Sequence, residues 1–433
     1  MIKRILLCLL FAATLLLCGC GLRTADEMYA VPARPAADYN LQDAINEAMS
    51  GLDYAAPKAG TNQQIVQTVD IDGNGDVEYL LFAKGDSDFP LQVFIFDKKK
   101  DTYNLVDTIS CNGSAFDRVE YAQMDAQPGM EIVIGYQLND QLTGGLSVYT
   151  FQSGNLEQLL STTYAQFLLT DLDGDMRSEL FLARPGNNEW SKGAAELYHM
   201  KNGNLERSVE LNISAPAANI RRILPGKLQD GRNCVYVSSN NGDAALTTDV
   251  FTVVNNTFSN IGLTAEIPTT VQTIGNYYVD IADIDGDGVQ ELPELIDMVQ
   301  VTEDVGSTQK IIAWHSLDTI GKSHRKVYTY HCYADGWFVE LETEWTEALT
   351  ASRQGKRVDF FSWDKRYGVP IRLFSISVLT GQNREEQAEI NGNIRLYSTN
   401  NSIFVCEITS NGERYGVTEE KLKENFKMIQ QDS

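Results

Sequence analysis

The sequence predicts an all-β protein, a β-propeller of about five to six four-stranded blades with a short helix near each end. Three observations carry that expectation. An acidic segment recurs along the chain: VDIDGNGDVEYLLF from residue 69, AQMDAQPGMEIVIG from 122, TDLDGDMRSELFLA from 170, PGKLQDGRNCVYVS from 225 and ADIDGDGVQELPEL from 282. The steps between starts are 53, 48, 55 and 57 residues, a near-constant period of the size found in propeller blades and solenoids. Between the copies lie short alternating or apolar runs bounded by Gly and Asn, with no amphipathic helical spacing, as in strands joined by hairpins.

The elements follow in chain order. Lys3 and Arg4 precede an apolar run from Ile5 to Leu17 that ends in Leu17-Cys18-Gly19-Cys20. The run is too short to span a bilayer as a helix, and its order reads as a secretory signal over residues 1–19. Its ending resembles the bacterial lipoprotein signal, which implies lipidation of Cys20, attachment to the membrane through that lipid and an extracytoplasmic chain; an ordinary signal with a chance cysteine is the alternative. Residues 20–60 hold a tether containing Pro32 and Pro35, then a helix that Asn40 can cap, with Leu41, Ala44, Ile45, Ala48 and Leu52 on one face.

Residues 61–345 hold the repeats. The strand ahead of each early motif (IVQTV, RVEYAQ, AQFLLT) is followed by the motif's own strand. A hairpin pair comes next, such as LQVFIFD and TYNLVDTI, so each repeat has four strands. Residues 346–433 are either a worn closing blade, retaining only Asp364 of the acidic ladder, or a small α+β domain. Thr418 can cap a last helix with Glu419 and Glu420 in its first turn. Val417 and Leu422 are placed as a hydrophobic staple, and Leu422, Phe426 and Ile429 as a stripe.

The chain has 35 basic and 59 acidic residues, a formal charge of −24. So acidic a surface repels phosphate backbones, which excludes nucleic acid as a partner. It suits recruitment of divalent cations, and it also simply keeps a protein soluble. After the signal, Cys111, Cys234, Cys332 and Cys406 remain, in no CxxC spacing. Buried thiols are the expectation, with a Cys332–Cys406 bridge as the alternative.

Three copies keep a ladder of carboxylates. The first has Asp70, Asp72, Asn74, Gly75 and Glu78; the third Asp171, Asp173, Asp175 and Glu179; the fifth Asp283, Asp285, Asp287, Gly288 and Glu291. Carboxylates this close repel one another unless a cation sits among them. Hard oxygen donors at positions 1, 3, 5 and 9, with no His or Cys, select Ca2+ over zinc or copper. A backbone carbonyl is expected from position 7, which is Asp76, Arg177 or Val289. An EF-hand is the rival reading, since Glu294 falls at position 12 of the fifth loop. Leu81 and Leu182 occupy that position in the others, and Pro293 stands where a second helix would begin. Plain acidic turns are the other alternative.

The D-x-D-x-[DN]-G-x-x-E loop between strands, once per blade over residues 60–345, resembles the FG-GAP or VCBS-type repeats of integrin-α-like propellers. That resemblance implies calcium held as a structural brace by the residues just named. Met176 replaces the loop glycine, so the third site is expected to be strained. The second repeat keeps only Asp125 and Glu131, the fourth only Asp230 and Gly231, and neither is expected to bind.

No GxSxG, HExxH or phosphate-cradling glycine loop is present. His315, His324 and His331 cluster in sequence at spacings that match no zinc signature. Trp314, Trp337, Trp345 and Trp363, with Tyr328, Tyr330 and Tyr333, either fill the space between sheets or offer an aromatic surface to a sugar or protein. The function expected is an exported, lipid-anchored, calcium-binding module that engages a protein or glycan at the cell surface. A glycan hydrolase or lyase on the same scaffold is the alternative. A carboxylate pair with perturbed pKa outside the acidic loops would favour the enzyme.

Overall fold

The structure, a computed structural model, describes residues 36–429 apart from 101, 139–142, 153, 187–189, 299–308, 347, 364–367 and 391. The signal segment, Cys20, Pro32, Pro35 and Asp364 lie outside the described residues. Among the described residues no helix is long and apolar enough to cross a membrane.

The chain is all-β, built as six antiparallel sheets in sequence order. The first shows how a repeat folds. Val66–Val69 leads into the acidic loop, and Glu78–Lys84, Leu91–Lys99 and Thr102–Cys111 follow as a meander. Apolar residues on both faces of the middle strands, such as Leu80 and Phe82 on one side and Leu81 and Ala83 on the other, bury the sheet from both directions. The second to sixth sheets occupy residues 115–164, 166–212, 220–272, 292–341 and 349–408.

Each sheet packs on the next, and an aromatic pair marks most of the seams. Phe82 meets Phe116 edge-on at 5.1 Å, Tyr164 meets Phe167 at 5.2 Å and Phe181 meets Phe251 at 5.3 Å. Tyr236, Leu292 and Leu317 join the fourth sheet to the fifth, and Tyr330 meets Phe360 at 5.0 Å between the fifth and sixth. Such offset and edge-on pairs add about 0.5–1.5 kcal/mol each beyond the area they bury. Trp314, Trp337 and Trp345 are all buried, so these three aromatics belong to the core.

Helices cover the two outward faces. The helix Ala36–Ala48 lays Leu41, Ala44, Ile45 and Ala48 on Leu81, Ala83, Phe94 and Phe96, the face of the first sheet turned from the second. The sixth sheet's outer Ile403 and Val405 lie under Ala388 of the helix Arg384–Ala388. The first helix begins ahead of Asn40, so Asn40 does not cap it. Its Oδ1 instead accepts the Tyr103 backbone N–H at 2.6 Å and ties the helix to the sheet. At the other end Thr418 does cap Glu419–Asn425, accepting from the Lys421 N–H at 3.3 Å, with Val417 and Leu422 fully buried.

The expected end of the chain is corrected as well. The final helix stops at Asn425, and Phe426–Met428 form a strand paired with Trp337–Leu341 at the edge of the fifth sheet. Backbone pairing there outweighs continuation of the helical stripe, because the edge offers hydrogen-bond partners. Ahead of the fifth loop the run NYYVDIA forms two isolated bridges, Tyr277 with Ile274 and Ala282 with Glu291, in place of a strand. The cysteines behave as buried thiols: Cys111, Cys234, Cys332 and Cys406 are all buried and free.

Candidate metal centres

Local backbone geometry builds each acidic loop. In the first, Asp70 accepts the Asn74 N–H at 3.1 Å and the Gly75 N–H at 3.0 Å, and Asn74 accepts the Asp76 N–H at 2.7 Å. In the third, Asp171 accepts from Gly174 at 2.7 Å and Met176 at 3.0 Å, and Asp175 from Arg177 at 2.9 Å. In the fifth, Asp283 accepts from Gly286 at 2.8 Å and Gly288 at 3.0 Å, and Asp287 from Val289 at 2.8 Å. Winding a chain this tightly needs positive φ, which Gly75 and Gly288 supply at +92° and +84°. Met176 sits at +68° in the equivalent place, a region that disfavours side chains, so the expected strain is present.

The winding brings positions 1, 3 and 9 together. Asp70, Asp72 and Glu78 each offer an oxygen within 4.8 Å of the others, as do Asp171, Asp173 and Glu179, and Asp283, Asp285 and Glu291. These acidic clusters could hold a metal ion. Position 5 turns elsewhere: Asn74 donates to Asp72 at 3.0 Å, Asp175 lies 3.4 Å from Arg177 and Asp287 lies 2.6 Å from Lys326. Asp76, Arg177 and Val289, expected to give carbonyls, close the loop through their N–H groups onto position 5.

The glutamate has a second duty. Oε2 of Glu78, Glu179 and Glu291 accepts the backbone N–H of Ile71, Leu172 and Ile284 at 2.8, 2.6 and 3.0 Å, clamping the loop's first turn to the start of the strand that follows it. The other oxygen, Oε1, of Glu78 and of Glu291 is buried with no hydrogen-bond partner. A buried carboxylate oxygen left unpaired is costly and marks the place where a ligand or proton belongs. Burial pushes the pKa of all three glutamates up to about 7, with the neighbouring aspartates adding to the rise and the backbone N–H opposing it.

The loops lie along one rim and are laced together. Met130 N–H donates to Ile71 O at 3.1 Å, Ser178 N–H to Gln123 O at 2.9 Å and Asn233 Nδ2 to Asp171 O at 2.6 Å. Tyr236 reaches from the fourth sheet to Gln290 O at 3.2 Å. Gly73 packs so closely on Gly129 that an added Cβ would come within 2.4 Å of that residue's nitrogen.

The three sites differ in features that spacing within the motif does not show. Asp97 lies opposite Glu78, one step past the Tyr79–Phe96 pair, and its charge helps raise Glu78. His199 holds the same register opposite Glu179, and Ser316 opposite Glu291. Lys326 reaches the fifth loop from a strand far along the chain. Strand register could have located Asp97 and His199; nothing in the sequence flags Lys326.

The histidines do not converge. His315 lies 3.0 Å from Glu294 and 3.2 Å from Ser323, His324 lies 3.2 Å from Asp318, and His331 is stacked on Phe338 at 4.8 Å. Burial holds His331 down near a pKa of about 3 and lowers His315 from its ordinary value.

No family model matches this chain, and no curated protein matches it. Solved structures similar to it include a rhamnogalacturonan lyase of Bacillus licheniformis, at 12% identity and TM-score 0.29 over 87% of this chain and 94% of that one. Rhamnogalacturonan lyase YesW aligns at 10% identity and TM-score 0.30 over 86% and 96%, and TolB of Acinetobacter baumannii at 10% and 0.24 over 75% and 66%. Superpositions at these scores bear no weight for function.

Proposed function

We propose that the chain is a calcium-braced blade protein of the FG-GAP or VCBS kind, exported, anchored through lipid on Cys20, and acting as a binding module for a protein or glycan. The unpaired Oε1 of Glu78 and Glu291 carries the calcium part of this reading. Each is a buried carboxylate oxygen set within a trio of carboxylates, in a chain that winds its loop to gather them. A cation there removes the like-charge repulsion and completes the glutamate's coordination, and because the loops are laced along one rim it stiffens the seams between sheets. Ligand engagement then falls to loops held in place by that rim, since function is grafted on a fold rather than given by it.

The raised carboxylates support a brace over chemistry. Among the described residues, those pushed up are Glu78, Glu131, Glu179, Glu291 and Asp173, all of them within the motif. One observation favours the second reading, a surface glycan hydrolase or lyase: the buried His315 is oriented by Glu294 and bonded to Ser323, an arrangement suited to moving a proton.

A calorimetric calcium titration with paired melts in calcium and in chelator tests the brace. About three sites and a melting rise that shrinks in Asp70→Ala and Asp283→Ala are expected. Absence of binding with unchanged melting would reduce the ladders to turns. Lipid on Cys20 is tested by intact-mass analysis of the membrane fraction, with Cys20→Ser releasing the chain.

A further inference from the structure

The fifth loop contains a positive charge of the protein's own. Lys326 Nζ lies 2.6 Å from Asp287 Oδ2 and 4.0 Å from Asp285 Oδ2, with its side chain only 19% exposed. Asp285 is one of the trio with Asp283 and Glu291, so the ammonium sits at the mouth of the candidate cation site. A β-bulge puts it there. In the pairing of Lys310–Leu317 with Ser323–Cys332 the register shifts between Ala313 and His315, whose partners are Tyr328 and Arg325. Lys326 and Val327 are the two residues set against Trp314. Val327 packs into the apolar cluster around Trp314, and Lys326 turns to the acidic loop.

The first loop has no such charge. Among the described residues no ion pair reaches Asp70, Asp72, Asp76 or Glu78, and Asp97 adds a further buried carboxylate beside Glu78. In the third loop Arg177 pairs only with Asp175, both about two-fifths exposed, where screening by water leaves little effect. The fifth loop is thus the one whose repulsion is already relieved by a partly buried cation. Yet Glu291 Oε1 remains buried and unpartnered in it, so the lysine compensates charge without completing the site.

We propose that Lys326 is a built-in stand-in for the fifth loop's cation: the ion must displace the ammonium to bind, so the first loop fills before the fifth. This rests on the calcium reading above and adds an order to it. Displaced, Lys326 swings to solvent on its flexible stem, and the loop exchanges one cation for another. The two loops then divide the work. The first is a permanent brace, and the fifth responds to a higher calcium level while staying folded without it.

The test isolates the fifth site by disabling the others with Asp70→Asn and Asp171→Asn, each of which keeps one of the aspartate's two backbone hydrogen bonds, and titrates calcium chloride by calorimetry. Lys326→Met in that background keeps the stem's packing and is expected to tighten binding about fivefold to tenfold, within the usual range of coupling between two sites. Lys326→Arg keeps the charge and is expected to leave the affinity near that of the parent. In chelator, Lys326→Met is expected to melt below the parent, and saturating calcium to erase the difference. An unchanged or weakened affinity in Lys326→Met, with calcium still bound by the native chain, would overturn the stand-in alone. Should no variant and not the native chain bind calcium, the brace falls as well. If the doubly disabled chain does not fold, Lys326→Met in the native chain gives the same answer as a tightening of one site with the other two unchanged.

Discussion

The second and fifth loops hold the same place in the repeat and have different chemistry. The fifth keeps the whole ladder. The second has lost it and retains only Asp125, whose Oδ1 accepts the Gln127 N–H at 2.7 Å, and Glu131. Yet Glu131 is 3% exposed and accepts the Met124 N–H at 2.9 Å, with the same sequence separation and geometry as Glu291 on Ile284. What changed is the carboxylate's other partner. Thr150 stands opposite Glu131 in register and opposes the rise of its pKa, whereas Glu291 keeps an oxygen unpaired. The glutamate therefore belongs to the fold, and the aspartate ladder is the part that the proposed calcium site requires.

The sharpest way to break this comparison is to remove calcium. A site held at 100 times its dissociation constant adds about 2.7 kcal/mol, so chelation across several loops is the largest effect expected. Differential scanning calorimetry in calcium and in EGTA reads it directly. Asp125→Asn in the second loop should leave the calcium-dependent rise intact, while Asp70→Asn should remove one site's share.

Next in size is loss of the glutamate clamp, which should cost alike in the second loop and the first. Glu131→Ala and Glu78→Ala each strand a buried N–H, of Met124 or Ile71, and should lower stability in chelator by about 1–3 kcal/mol in urea melts. If only Glu78→Ala destabilised, and only in calcium, the glutamate would be a ligand and nothing more.

A smaller effect is set by pH. The pKa of Glu78, Glu179 and Glu291 in the folded chain, about 7, stands above the ordinary value of 4.5, so the metal-free fold holds protons that the unfolded chain has released. Their contribution is full below about pH 4.5, falls as pH rises towards 7 and is lost above it. In chelator, stability should decline across that window. Calcium binds the ionised form, so saturating calcium should flatten or reverse the slope. Glu131, raised in the same direction, should keep its share of the decline in calcium.

Much of this was legible in the sequence because it depends on local spacing. The period of the motif located five of the six sheets, and alternation within loops such as Asp283-Asp285-Asp287 brought the carboxylates of positions 1 and 3 to one point. What was hidden depends on distant pairing. Asn40 looks like a helix cap until the Tyr103 N–H is seen beside it, and Phe426 reads as the next turn of a helix until the fifth sheet's free edge takes it up. Lys326 was invisible for the same reason, since a bulge in a strand is not written in periodicity. The buried tryptophans were ambiguous because an aromatic at a seam and one on a face have the same local sequence.

The smallest expected effect concerns the third loop, which keeps its ladder and has lost its glycine. Met176 is 90% exposed and holds φ at +68°, so its side chain contributes almost no burial to offset a conformation that costs about 1–2 kcal/mol for a residue with a Cβ. Met176→Gly relieves that strain but gains freedom in the unfolded chain, which gives some of the benefit back. A net rise of about 0.5–1 kcal/mol in chelator is expected from urea melts, with calcium binding at the third site tightened because the loop no longer has to be held against its own backbone. The same substitution at Val289, one position further along the fifth loop and outside the positive-φ step, should destabilise instead. If both glycines acted alike, backbone strain at Met176 would not distinguish the third loop from its neighbours.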